Sequence, residues 1–170
     1  MSKKKLMITV FLLVFIVGDI VIILTLGTIW KNGAPMVGEP GFMNRITTYL
    51  TTNVAQTSLS PTFPELKAPL LQGEPDEIFD CLEDCIATLG WQVQTSNRET
   101  NTIEAVVTTP LMGFQDDIVI TIQEEGENRW LSVLSSSRVG RGDLGANAGH
   151  ILDLLSQLKQ TCSQHIQSNP

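Results

Sequence analysis

The stretch DDIVITIQEEGENRWLSVLSSS, residues 116–137, decides the fold. It holds two runs in which apolar and polar residues alternate, separated by the turn-forming group EEGEN, and this is the pattern of a β-hairpin. If Gly126 and Glu127 form a two-residue turn, residues equally distant from that turn pair with each other. Five apolar residues then share one face, which we expect to be the core face: Ile118, Ile120, Ile122, Leu131 and Val133.

The open end of this hairpin carries charged residues. Asp116 and Ser137 continue the core face, whereas Asp117, Ser136 and Arg138 lie on the opposite face, because neighbouring strand residues point in opposite directions. Arg138 is then a diagonal neighbour of Asp117, about 7–8 Å away, a distance that an arginine side chain spans. We therefore expect an ion pair between Arg138 and Asp117.

Further helix and strand patterns flank the hairpin. The segment PDEIFDCLEDCIATLG (75–90) opens with proline and acidic residues and ends on glycine, as helices do. WQVQTS (91–96) and TIEAVVTT (102–109) predict a second hairpin. Apolar residues spaced by four and three from Leu144 to Cys162 predict a long closing helix. This order predicts an α+β fold, a two-layer, four-stranded antiparallel sheet with two helices on one face.

The N-terminal segment predicts a membrane anchor. Residues 6–30 are apolar apart from one charge, and a bilayer core needs about 20 such residues. A cleaved signal peptide is the alternative, but its apolar region is usually ~7–15 residues long. Lysines at positions 3–5, against Lys31 alone after the span, favour a cytoplasmic N-terminus. We expect a cytoplasmic stub and single-pass anchor at 1–31, a linker at 32–58 and a domain at 59–167. That domain would lie on the periplasmic, extracellular or luminal side.

Asp19 lies near the middle of this span, directly after Gly18. A carboxyl at the bilayer centre costs about 2.5–3.5 kcal/mol on insertion scales and usually faces protein or water. One interpretation is contact with a helix of another membrane protein, with Gly18 permitting close approach. The other is a protonated aspartate that an otherwise apolar helix tolerates.

Charge and cysteine content limit the functions that we expect. A net charge of −7 makes a general nucleic-acid-binding surface unexpected. Cys81 and Cys85 lie one helical turn apart, too far for a mutual disulfide. A Cys85–Cys162 bridge is conceivable between neighbouring helices, but buried free thiols are the default expectation. The sequence indicates no metal site and no cofactor.

The segment SSSRVGRGDLGANAGHI, residues 135–151, allows two interpretations. As an anion site, its glycines would free backbone amides at a helix start, and Arg138 and Arg141 would add charge. As a structural turn, Gly140 would take a positive φ, Asp143 would cap the helix, and Asp116 would accept bonds from loop amides. Structural turns far outnumber ligand sites, which favours the second interpretation.

Two of these segments resemble the bacterial and plastid family catalogued as domain of unknown function 1499. The family combines a Gly-Phe-x-Asp-Asp strand with Ser-Arg-Val-Gly-x-x-Asp-x-Gly-x-Asn before a closing helix. The matching positions here are Gly113, Phe114, Asp116, Asp117, Ser137, Arg138, Val139, Gly140, Asp143, Gly145 and Asn147. His150 stands where members often carry arginine. The resemblance covers about residues 59–158 and implies no activity.

Two functions are therefore expected at this point. The first is a membrane-anchored, non-enzymatic exported domain that binds a protein partner or an envelope component. The alternative is an enzyme that acts on an anionic envelope or lipid substrate through Asp116, Asp117, Arg138 and Arg141. The candidate anion- or partner-binding set also includes Gly140, Asp143 and Asn147.

Overall fold

The computed structural model describes residues 2–109 and 113–167 and has an α+β architecture. Helices α1 and α2 and strand β1 come first, at Lys3–Lys31, Phe42–Thr51 and Val54–Gln56. Helix α3 (Pro75–Leu89) precedes strands β2 (Gln92–Asn97), β3 (Thr102–Thr108), β4 (Gln115–Glu125) and β5 (Asn128–Ser137). Helix α4 (Ala146–Thr161) follows, and short 3₁₀ turns occur at Pro64–Leu66 and Ser163–His165. The sheet is antiparallel, in the order β1-β5-β4-β3-β2.

The sheet has five strands, so the prediction of four strands is wrong by one. Strand β1 adds to the edge beside β5, where Ala55 pairs with Ser135. Three residues in a polar segment are too few to display a two-residue period, and the strand forms because β5 offers it an edge. The four predicted strands are all present.

The predicted register of the central hairpin is confirmed. Asp116 pairs with Ser137, and Ile120 pairs with Val133. Gly126 has a φ of 61° in the turn, which glycine adopts without steric cost. The five apolar residues of the hairpin are buried against α3 and α4, together with Ile103, Ala105 and the apolar sides of both helices.

The helix boundaries follow from local chemistry. Helix α3 begins at Pro75 with acidic residues in its first turn and ends before Gly90, which has a left-handed φ of 70°. Helix α4 begins at Ala146 rather than at Leu144, because Leu144 and Gly145 both have positive φ, at 53° and 79°. The chain therefore turns sharply before this helix starts.

The segment expected to be a linker, residues 32–58, contains helix α2 and strand β1. Its residues Ala34 and Tyr49 join Ile29, from the end of α1, and Ala148 of α4 in a second buried cluster. Arg45 is buried as well and pairs with Glu65, while its guanidinium lies 4.9 Å from the centre of the Phe63 ring. The segment is thus packed onto the domain rather than extended away from it.

A disulfide joins Cys81 to Cys162, and Cys85 is a buried free thiol. The expected alternatives, a Cys85–Cys162 bridge or three free thiols, are both wrong. Cys81 and Cys85 are one turn apart on α3 and both face Cys162, so helix periodicity alone could not choose between them. The bridge ties the middle of α3 to the end of α4.

Candidate functional site

The closing loop, defined here as residues 138–145 between β5 and α4, is organised by Asp143. Its carboxylate accepts hydrogen bonds from the backbone amides of Gly145, at 2.8 Å, and Asn147, at 3.1 Å. It also accepts one from the Asn147 side chain at 2.7 Å. Asp143 thus bonds amides at the start of the closing helix, as expected of a cap, but it does so from two residues before the N-cap position, which Gly145 occupies.

Asn147 is fully buried and uses both ends of its side-chain amide. Its nitrogen carries two hydrogens, which it shares among the Asp143 carboxylate, the carbonyl oxygen of Asn53 at 2.8 Å and the hydroxyl oxygen of Ser137 at 2.9 Å. Its oxygen accepts from the hydroxyl of Ser135 at 2.5 Å. This one side chain connects the chain before β1, the end of β5 and the start of α4.

Arg138 pairs with Asp117, as the register predicted. Its Nε lies 3.0 Å from both carboxylate oxygens, and Nη2 lies 2.7 Å from Oδ1. Nη1 donates to the side chain of Gln115 at 2.6 Å. The hydrogen bonds that Arg138 donates to Asp117 raise the pKa of Arg138 further above its ordinary value. The guanidinium is therefore already neutralised, although about half of the side chain is exposed.

Asp116 was expected to accept hydrogen bonds from the backbone amides of the closing loop. This prediction is wrong, because the carboxylate of Asp143 accepts hydrogen bonds from amides at the end of the loop instead. Asp116 is buried, with 2% exposure, and one of its oxygens lies 2.9 Å from Nε2 of His150. Burial alone would raise the pKa of Asp116, but hydrogen bonds from His150 and Ser137 outweigh burial and lower it. His150 also meets the ring of Trp91 edge-on.

The four residues named for an enzyme do not converge on one point. Asp116 lies on the helix-covered face of the sheet, whereas Asp117 lies on the other face with Arg138. Arg141 is exposed and has no ion pair among the described residues. Gly140 has a φ of 97°, the positive value expected of a turn glycine.

The glycines around the closing loop allow close approach of the segment that follows α1. A Cβ placed on Gly149 would overlap the carbonyl oxygen of Asn32 and lie 3.1 Å from its carbonyl carbon. A Cβ on Gly145 would overlap the side chain of Ala34, and one on Gly142 would overlap the backbone of Leu50. Only glycine fits at these three positions without movement of the neighbouring chain.

Hydrogen bonds hold the same surfaces together. The side chain of Asn32 donates to the carbonyl of Leu144 at 3.0 Å. The amide of Leu144 donates to the carbonyl of Tyr49 at 2.9 Å, and that of Asp143 donates to the carbonyl of Thr52 at 3.1 Å. The closing loop and the start of α4 thus form a packing surface, or socket, for residues 29–52, which connect α1 to the domain. We call this contact the anchor joint.

Sequence reasoning missed most of the anchor joint. Asn32, Ala34, Tyr49 and Asn53 carry no motif and lie in the segment expected to be a linker. The available signal was the high glycine content of the closing loop, which was interpreted as an anion site or a turn and not as a contact surface.

Gly18 and Asp19 lie on the exposed surface of α1, and no atom lies within 4 Å of a Cβ placed on Gly18. Helix α1 is long and apolar enough to cross a membrane and is not buried inside the protein in its most apolar part. Both residues are therefore open to contact from outside the chain.

Open clefts are also present among the residues that the structure describes. One, of about 310 Å³, lies between α2 and β1 and includes Tyr49, Phe63 and Asp143. The other, of about 490 Å³, lies between the Pro64–Leu70 segment and the end of α4. This second cleft, the lysine cleft, has a mostly apolar lining with Glu65, Lys67 and Lys159 among its residues.

Fold and site together define a class: a small α+β domain fixed by a glycine-rich socket to an N-terminal apolar helix of membrane-spanning length. The family model described as "Protein of unknown function (DUF1499)" matches residues 45–158. The chain belongs to this family. The match begins inside α2 and ends in α4, so it includes the closing loop but not residues 29–44 of the anchor joint. No curated protein matches the chain.

Proposed function

We propose that this protein is a single-pass membrane protein whose exported domain is a non-enzymatic binding module, held in a fixed pose on its own membrane helix. The observation that carries the proposal is the anchor joint. The polar groups of Asp143 and Asn147 are bonded within the chain, and Arg138 is neutralised by Asp117. Because the polar side chains of the closing loop are bonded within the chain, we infer a structural role for this loop.

The distribution of lysines and the disulfide both support an orientation of the chain in which the N-terminus is cytoplasmic and the domain is exported. The lysines at positions 3–5 favour a cytoplasmic N-terminus. The Cys81–Cys162 disulfide favours an oxidising compartment for the domain, since cytosolic thiols are kept reduced. Both arguments support a domain on the periplasmic, extracellular or luminal side.

The lysine cleft is the surface that best suits an envelope component. Seven basic residues follow α1, and four of them have a carboxylate partner: Arg45, Arg98, Arg129 and Arg138. Of the three without an ion pair among the described residues, Lys67 and Lys159 both line the lysine cleft. Its volume of about 490 Å³ falls in the range of ordinary ligand sites. Glu65 also lines the cleft, but its carboxylate is paired with Arg45. A mostly apolar cleft with two unpaired lysines suits a ligand with an apolar body and an anionic group.

A crosslinking experiment in native membranes tests the binding function. Wild type is compared with a Lys67→Ala/Lys159→Ala double variant, and Arg141→Ala is the matched control because it removes an exposed, unpaired cation outside the cleft. We expect the double variant to lose a crosslinked partner or lipid that Arg141→Ala retains. If wild type crosslinks to nothing, or if only Arg141→Ala loses the ligand, the cleft proposal is wrong. The latter result would favour an anion site in the closing loop.

A second comparison tests the contact proposed for Asp19. Asp19→Leu removes the carboxyl from the exposed surface of α1, and Ile20→Leu is a control of similar size at the next position. We expect Asp19→Leu to release a co-purifying membrane protein that Ile20→Leu retains. Identical sets of co-purifying proteins would indicate that the carboxyl is merely tolerated in the bilayer.

A further inference from the structure

The three cysteines form one sulfur cluster in which a free thiol touches a disulfide. Cys81 and Cys162 are bonded, with their Cα atoms 6.1 Å apart. The thiol of Cys85 lies one turn further along α3, and its Sγ is 3.5 Å from Sγ of Cys162. This is contact distance between sulfur atoms that share no bond. Cys162 thus has two candidate partners on the same face of one helix.

We propose that this cluster is a thiol–disulfide exchange site, in which Cys162 moves its bond from Cys81 to Cys85. The Cys85 thiolate attacks Sγ of Cys162, and an S–S bond forms as the Cys81–Cys162 bond breaks. Cys81 leaves as a thiolate and takes up the proton that Cys85 gave up. One thiol and one disulfide are present before and after, so the step needs no external oxidant or reductant.

The geometry requires only a small movement. The Cys85 and Cys162 sulfurs must close from 3.5 Å to about 2.05 Å, the length of a disulfide bond. Side-chain rotation at Cys162 supplies most of such a shift, since both candidate partners already face it. The bridge would still join α3 to the end of α4, one turn from its original position.

Exchange changes which thiol is accessible. Cys85 is fully buried, whereas Cys81 is only partly buried at the edge of the core. The new bridge would therefore convert a hidden thiol into one that a partner thiol or an alkylating reagent can reach. Burial, with a smaller contribution from Asp84, raises the pKa of the Cys85 thiol, although a hydrogen bond with Thr161 opposes the shift. Cys85 is therefore mostly protonated at neutral pH, and we expect the exchange to be slow.

The Cys81→Ser variant tests the proposal most simply. The full-length protein is exported, alkylated in acid denaturant to trap free thiols, and mapped by mass spectrometry of unreduced peptides. We expect a Cys85–Cys162 disulfide and no alkylated cysteine. Two alkylated cysteines in folded Cys81→Ser protein would overturn the proposal. Cys85→Ser is the matched control and should keep the Cys81–Cys162 bridge.

A second measurement on wild type covers the case in which Cys81→Ser fails to fold. Folded wild type is incubated with a maleimide for increasing times, quenched in acid and mapped. We expect slow labelling of Cys81 together with a Cys85–Cys162 bridge, and no labelling of Cys81 in Cys85→Ser. If Cys85 is the only residue ever labelled in wild type, exchange does not occur.

Discussion

Gly149→Ala should separate the domain from the end of its membrane helix. The added methyl group would overlap the carbonyl oxygen of Asn32, so residues 29–34 must move away. Forced accommodation of an extra methyl in a packed site costs about 1–3 kcal/mol. Complete separation of residues 29–34 from the closing loop sets an upper bound on the lost free energy of unfolding. It would expose Ile29, at a cost of about 1.5–3 kcal/mol. It would also break the hydrogen bond from Asn32 to Leu144, at a cost of about 1 kcal/mol. We expect a net loss of about 2 kcal/mol.

The assay is thermal unfolding of the full-length protein in detergent, with Gly27→Ala as the matched control. Gly27 is also a helical glycine, and a methyl group there meets no atom within 4 Å. Both substitutions gain helix propensity of up to about 1 kcal/mol, so the difference between them reports the contact with Asn32. We expect Gly149→Ala to melt roughly 4–8 °C below Gly27→Ala. Equal melting temperatures would refute the close approach of Gly149 to Asn32.

Three further substitutions test the residues around the closing loop. Asn147→Ala leaves several buried hydrogen-bonding groups without a partner, so the free energy of unfolding in urea should fall by roughly 2–4 kcal/mol. A fall of less than about 1 kcal/mol would contradict the central position of Asn147 in this network. Arg138→Ala removes a solvent-exposed ion pair with Asp117 and should leave the urea midpoint nearly unchanged, so a large fall in the midpoint would indicate a larger role. The pKa of Asp116 is lower in the folded protein than in the unfolded chain. Its ionised carboxylate therefore stabilises the folded protein at pH values above the unfolded pKa of about 3.9. This stabilisation is lost as the pH falls through the folded pKa. Asp116→Asn should therefore flatten the loss of stability as the pH falls below about 4, and an unchanged acid profile would contradict this assignment.

Local patterns predicted the parts of the fold that depend on neighbours in sequence. Alternating residues around Gly126 were enough to place Arg138 beside Asp117, because hairpin register follows from the turn. The capping role of Asp143 was predictable for a similar reason, since it lies just before the closing helix. These contacts connect residues that one turn or one hairpin brings together.

The anchor joint was not predictable in this way, because its contacts connect distant parts of the chain. Asn32 and Gly149 are far apart in sequence and are in contact only in the folded structure. Strand β1 is three residues long and has no pattern of its own. Whether Cys81 or Cys85 forms the disulfide with Cys162 depends on side-chain placement within a single helical turn. Each of these features is decided by packing, which a single sequence does not record.

The central claim is that the membrane helix and the domain form one rigid unit, and a distance measurement tests it most directly. Spin labels carried by noncanonical amino acids at Leu24 of α1 and Ser156 of α4 leave the three native cysteines unchanged, and both positions are exposed. In lipid nanodiscs, pulsed dipolar spectroscopy should give a single narrow distance distribution that broadens in Gly149→Ala. A distribution in wild type that is already broad, and that Gly149→Ala does not change, would contradict the claim.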